Sequence, residues 1–148
     1  GTNGQALITG GTGANPSWGT ISGASNAFFA YDFSSGSNSG DLVYTTELFD
    51  DGGNYNASNG RYTCPSAGKY LLQAQAYSAQ DNAGNEIYFK KNGSTFAGGG
   101  DGFAYSYSTH HTTSVHLIVD ASANDYFNVH STNNVYGNYC YFMGVKLY

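Results

Sequence analysis

The side chains able to do chemistry in this sequence are few, and their spacing is unhelpful to an enzyme. Four imidazoles, His110, His111, His116 and His130, are the natural acid–base groups and metal ligands near neutral pH. His110 and His111 are adjacent, so on a strand they point to opposite faces and cannot hold one ion together. Neither an HExxH nor a CxxC spacing occurs. The ten carboxylates are scattered, with Asp50 and Asp51 the one adjacent Asp pair. These two and Asp101 are weak candidates for an oxygen-ligated cation. No Gly-x-Ser-x-Gly elbow is present to expose a serine nucleophile. Gly11-Thr12-Gly13 lacks the third glycine and the strand–turn–helix setting of a dinucleotide loop. No catalytic residue and no cofactor are therefore expected. Cys64 and Cys140 could form one disulfide, but the strands that carry them need not be neighbours, and the expectation is two free, buried thiols. Asn56-Ala57-Ser58 and Asn92-Gly93-Ser94 fit the glycosylation sequon, yet both sit in turn signatures that already explain them.

Chemistry of contact is better represented. The segment Gly98–His111 sets Tyr105, Tyr107, His110 and His111, with Asp101, on a glycine-rich backbone. Tyrosine gives rigid amphipathic area and Ser and Gly give adaptability, the composition of a recognition loop. Asp101, Tyr105, Tyr107, His110 and His111 are the candidate ligand-binding residues, and sugar rings are a chemistry that such aromatic faces suit.

The elements that position these residues follow from composition. A chain of 148 residues is long enough for one head and too short for two. Five basic residues against ten acidic ones, a net charge of −5, leave no basic patch for a phosphate backbone, so nucleic acid is not an expected partner. The apolar runs are too short to span a bilayer and no signal peptide opens the chain, so no membrane is expected. The sequence begins at Gly1, which suggests a piece of a longer protein. Fourteen Tyr and nine Phe supply a core. Twenty-one Gly and two Pro, among many Ser, Asn and Thr, describe strands and tight turns, an all-β fold.

Residues 1–25 offer only Leu7, Ile8, Trp18 and Ile21 as anchors and read as an extended lead-in or linker; residues 26–148 read as the head. Period-two patterning marks strands over Ala27–Phe33, Leu42–Phe49, Thr113–Asp120 and Asp125–Ser131. Asn59-Gly60 and Asn92-Gly93 supply the left-handed pairs of tight hairpins. Leu71–Ala76 has helical propensity, but Leu72, Ala74 and Ala76 alternate with Gln73, Gln75 and Tyr77, so a strand is expected. In the last strand, Tyr141, Met143, Val145 and Leu147 are apolar enough for the core, which sends Phe142, Gly144, Lys146 and Tyr148 outward. In Thr113–Asp120, Val115, Leu117 and Val119 face inward and Ser114, His116 and Ile118 outward.

Phe49–Tyr70 contains Tyr55-Asn56, Gly60, Tyr62-Thr63, Pro65 and Gly68-Lys69-Tyr70 in the order of the central signature of complement-component-1q globular heads. Ile87–Gly93 resembles that family's strand ending Lys-Asn-Gly, and Phe142–Tyr148 resembles its final Phe-x-Gly strand. The resemblance spans Ala27–Tyr148. It implies a ten-stranded jelly roll of two packed sheets, shared with tumour necrosis factor, and a homotrimer. On that basis His116, Ile118, Phe142, Gly144 and Tyr148 are the expected trimer-interface residues, and a threefold axis makes His116 a weak axial metal candidate. Separately, Gly4–Ile8 followed by Pro16–Gly19 resembles a motif of phage tail-fibre and appendage proteins, found before a globular tip. Together these imply the trimeric C-terminal tip of a tail fibre on a virion. It would bind a host cell-surface receptor, with carbohydrate as the class that the aromatic loop suits, and contact other virion proteins through the lead-in. The alternatives are a secreted or spore-surface complement-type module, or a trimerisation cap that binds nothing.

Overall fold

In the computed structural model the described residues are 2, 5–20, 26–33, 37–78, 83–96, 102–106 and 111–148. Among them there are strands and no helix, hence none long and apolar enough to cross a membrane. In the lead-in, β1 (Gln5–Ile8) and β2 (Ser17–Thr20) pair antiparallel as a two-stranded ribbon separate from the main sheet. The described part of the lead-in forms a hairpin.

The head contains β3 (Ala27–Tyr31), β4 (Ser37–Leu42), β5 (Thr46–Asp50), β6 (Tyr55–Asn56), β7 (Arg61–Thr63), β8 (Gly68–Ser78) and β9 (Ala83–Lys91). It is completed by β10 (Ser94–Thr95), β11 (Gly102–Ser106), β12 (Thr112–Ala121) and β13 (Tyr126–Lys146). The long β13 is its spine. The first half of β13 lies between β9 on one side and β7 and β4 on the other, and the second half lies between β8 and β3. One sheet therefore runs β5-β3-β13-β8-β12, the other gathers β4, β6, β7, β9, β10 and β11, and β13 passes from one to the other. Where one strand was expected over Leu42–Phe49, the chain breaks between β4 and β5, because these strands pair with different partners, β13 and β3.

Between the sheets the core is aromatic. The Phe28 ring stacks on Tyr62 at 4.3 Å and meets Phe142 edge-on at 4.8 Å; Phe142 in turn touches Tyr44, Tyr55 and Phe89. Two of the tyrosine tips find partners: the Tyr55 hydroxyl donates to the Tyr44 carbonyl at 2.8 Å, and Tyr62 donates to the Asn26 carbonyl, whereas the Tyr44 hydroxyl is buried without one. Opposite pairing of Tyr55 with Tyr62 on β6 and β7 places both rings in the core.

The expected orientation of the last strand is overturned. Phe142 is fully buried and Gly144 lies inward beside it, whereas Tyr141, Met143 and Val145 are only half-buried on the outer face. Gly144 is what makes room: a Cβ there would sit 2.7 Å from Leu72 and 2.8 Å from Phe28. The expectations for β8 and β12 hold, with Leu72, Ala74 and Ala76, and Val115 and Val119, buried. Asn92 (φ 52°) and Gly93 (φ 83°) form the two-residue left-handed turn between β9 and β10. Asn56 accepts the Ser58 amide and hydroxyl at 2.9 and 2.6 Å, so this sequon asparagine is engaged in its own turn.

Candidate interaction surface

Register on the β5-β3-β13-β8-β12 sheet sorts its outer face into rows. Ile118, Leu71, Val145 and Ala27 form one; His116, Gln73, Met143, Phe29 and Phe49 the next; Ser114, Gln75, Tyr141, Tyr31 and Thr46 the third. These rows contain no Asp, Glu, Lys or Arg. Ile118 is 62% exposed and Phe49 42%. Phe29 stacks on Tyr141 at 5.3 Å with Phe49 and Tyr31 beside it, and the Gln73 amide donates to the Tyr141 hydroxyl at 2.8 Å. The aromatic strip is therefore pre-arranged at the surface, a low-entropy contact area.

The opposite sheet presents a different chemistry. Its outer face pairs Lys90 with Asp41 at 2.9 Å, sets His130 Nδ1 2.7 Å from the same carboxylate, and stacks His130 on Tyr88 at 4.9 Å. Partial burial acts to raise the Asp41 carboxyl, but hydrogen bonds from His130 and Lys90 and their charges outweigh it and hold it below the ordinary carboxylate range. That face closes its charges within the chain; on the other, the ion pair Lys69–Asp120 lies in the row beyond Ile118 and Leu71, and the three rows named above carry no charge.

His116 and Ile118 stand on the outer face where the sequence places them, and Phe142 and Gly144 do not. Tyr148 is exposed at the chain end, its carbonyl accepting the Lys69 amide. Of the recognition-loop candidates, Asp101, Tyr107 and His110 lie outside the described residues. Tyr105 is on β11, in register with Gly84. His111 precedes β12; its carbonyl accepts the Ser78 amide at 2.8 Å, and both its ring nitrogens are buried without a hydrogen-bond partner. Among the described residues no three His, Cys, Asp or Glu side chains are grouped as a metal site requires. Cys64 and Cys140 are buried and free; burial pushes their thiols up to about 12 and about 11. Sequence reading missed Phe29, Tyr31, Phe49, Leu71, Tyr141, Met143 and Val145 as surface residues. The available signal was the unbroken apolar run Ala27–Tyr31, which a strand covered on both faces requires.

Two sheets sharing one spine strand, with the chain's final strand in the middle of the outer-row sheet, can be matched against solved structures. The globular domain of zebrafish complement 1qA superposes with a TM-score of 0.68 over 84% of this chain and 98% of that one, at 13% identity. Eiger TNF from S. frugiperda gives 0.66 over 84% and 94%, at 13% identity. Murine APRIL gives 0.64 over 83% and 99%, at 12% identity. The fold is the complement-1q and tumour-necrosis-factor jelly roll. No protein-family model and no curated protein matches the sequence.

Proposed function

We propose that the chain is a homotrimeric binding head. The observation that carries this reading is the neutral face of the β5-β3-β13-β8-β12 sheet, where Ile118, Leu71, Val145, Met143, Phe29 and Phe49 lie together with no charge among them. A monomer would leave this patch in water, the arrangement that marks a protein contact. Three copies packed through it would present the surrounding loops as one surface, and three weak sites would act together. The likeness to complement-1q and tumour-necrosis-factor heads supports a receptor-binding role without chemistry of its own.

Context comes from the lead-in. The Gly4–Gly19 motif supports a phage tail-fibre or appendage tip, bound to the virion at its N-terminal end and to the host surface through its outer loops. The segment Gly98–His111, with Asp101, Tyr105, Tyr107, His110 and His111, is our candidate for that contact. A second reading, a secreted or cell-surface complement-type module, is favoured by the same structural likeness and differs only in its setting.

Sedimentation decides the first part: the wild type should run as a trimer at micromolar concentration, and Met143→Glu, which places a carboxylate in the proposed contact, should run as a folded monomer. A wild type that sediments as a monomer refutes the trimer. For the loop, the Tyr105→Ala, Tyr107→Ala double variant should remain trimeric and lose adsorption to host cells. Unchanged adsorption removes the loop from the site, and failure of the wild type to bind any cell surface leaves only the structural cap.

A further inference from the structure

At the Tyr77 end of the neutral face, β13 does something its neighbours do not. Tyr136 pairs with Tyr77 and Tyr141 with Gln75, so residues 137–140 all stand opposite Ala76 alone. Such a bulge re-aims side chains and is common beside functional sites. The bulge is held on every side. Gly137 lies so close to the Phe33 carbonyl that no Cβ fits. The Cys140 thiol accepts the Tyr77 amide at 3.3 Å and donates to the Tyr136 carbonyl at 2.7 Å. The Gln75 side-chain amide donates to the Tyr139 carbonyl at 3.0 Å.

What these contacts hold in place is Tyr139, in the left-handed region at φ 75° and 71% exposed. A bulky residue is disfavoured there and Gly or Asn would sit comfortably. The ring adds nothing to the core, so a folding role does not account for it. It stands edge-on to Tyr77 at 5.3 Å, and Tyr77 in turn meets Tyr136 at 6.1 Å. Between Tyr139, Tyr77, Gln75 and Thr112 lies an open depression of about 290 Å³, at the small end of ligand sites.

We propose that this depression binds a neutral sugar ring. The described residues that line it carry no charge, which disfavours ions and acidic sugars. Two tyrosine rings set at 63° offer a flat face for the C–H side of a pyranose, while the Gln75 amide oxygen and the Thr112 hydroxyl offer hydrogen bonds to ring hydroxyls. The proposal rests on the binding-head reading and gives it a ligand class and a site distinct from the Gly98–His111 candidates. Three copies would turn millimolar single-site affinity into useful avidity.

The test uses the whole chain and methyl glycosides of glucose, galactose and N-acetylglucosamine as probes, read by saturation-transfer NMR. At least one should receive saturation from the protein with a millimolar Kd. Tyr139→Gly keeps the backbone conformation and removes the ring; it should weaken that binding about tenfold or more, whereas Tyr139→Phe should stay close to wild type. No transfer to any of the probes, or an unchanged Kd in Tyr139→Gly, overturns the proposal. So does dissociation of the trimer by Tyr139→Gly, which would make the depression a subunit contact. Sugar binding is read per chain, so a trimer that binds no sugar refutes this site alone, and a sugar-binding monomer refutes the trimer alone.

Discussion

At the scale of single residues, Phe142 and Met143 are neighbours with opposite duties, and substitution separates them. Phe142 meets Phe28, Tyr44, Tyr55 and Phe89 in the core; Phe142→Ala should cost about 3–5 kcal/mol in denaturant unfolding, the usual range for truncating a buried aromatic. Met143→Glu should leave monomer stability nearly untouched and act on assembly. Asp125 is the other informative side chain. It pairs with Lys91 at 2.8 Å and accepts from Asn92 Nδ2 and the Ser122 amide, both at 2.8 Å. The hydrogen bond from Lys91, followed by those from Asn92 and Ser122, holds its carboxyl at about 2. An unfolded aspartate titrates near 3.9, so the stabilisation is complete above about pH 4 and is lost as the pH falls from there toward 2, where the unfolded chain takes the proton first. Asp125→Asn should lower Tm at neutral pH and flatten the acid limb of stability between those values. The two thiols, with pKa values raised by burial, should resist iodoacetamide in the native protein at pH 8 and react as two groups per chain once it is unfolded. Fast native alkylation at Cys140 would show that the β13 bulge opens.

At the scale of elements, glycines and turns decide where strands can lie. Gly68 has φ 154°, and a Cβ there would collide with the carbonyl of Tyr148. Its freedom is therefore used to admit the C-terminal end of the chain, where the Lys69 amide donates to the Tyr148 carbonyl and the Leu147 amide donates to the Lys69 carbonyl. The Asn92-Gly93 turn is tied to the loop before β13, since Asn92 donates to Asp125 and accepts the Tyr126 amide at 2.9 Å. Asn92→Ala removes both contacts and strains a φ of 52°; a loss of about 1–3 kcal/mol is expected by thermal or denaturant unfolding. A loss below a few tenths would mean that the turn tolerates Ala and the contacts are idle. The hairpin β1–β2 leaves Leu7, Ile8 and Trp18 exposed, and a two-stranded ribbon by itself is marginal in water.

For the whole molecule, two faces of opposite character give the assembly its direction. One closes its charges within the chain, through Lys90, Asp41 and His130; the other carries rows without charge. Because its attraction is apolar, the proposed trimer should be insensitive to salt, in contrast with an association steered by ion pairs. Sedimentation at low ionic strength and at about 1 M salt, where screening acts within roughly 3 Å, should give the same trimer, and dissociation by salt would place the contact elsewhere.

Much of the fold was legible in the sequence because turn chemistry and alternation are local. Asn92-Gly93 specifies its turn through two left-handed residues, and Leu72, Ala74 and Ala76 specify the inner face of β8 against their helical propensity. The Tyr55–Tyr70 and Phe142–Tyr148 signatures carried the jelly roll. What alternation could not decide was the orientation of the last strand, since both Tyr141–Met143–Val145 and Phe142–Gly144 are sets that a core would accept. A period of two fixes which residues share a face and is silent on which face is inside. Only the packed structure broke the tie: the space above Gly144 is filled by Phe28 and Leu72 from neighbouring strands, so Phe142 goes inward and the more apolar set is left on the surface. The bulge at residues 137–140 was equally illegible, because it is a mismatch in length between two strands far apart in sequence. Its effect, a tyrosine held in solvent, exists only once β8 and β13 are paired.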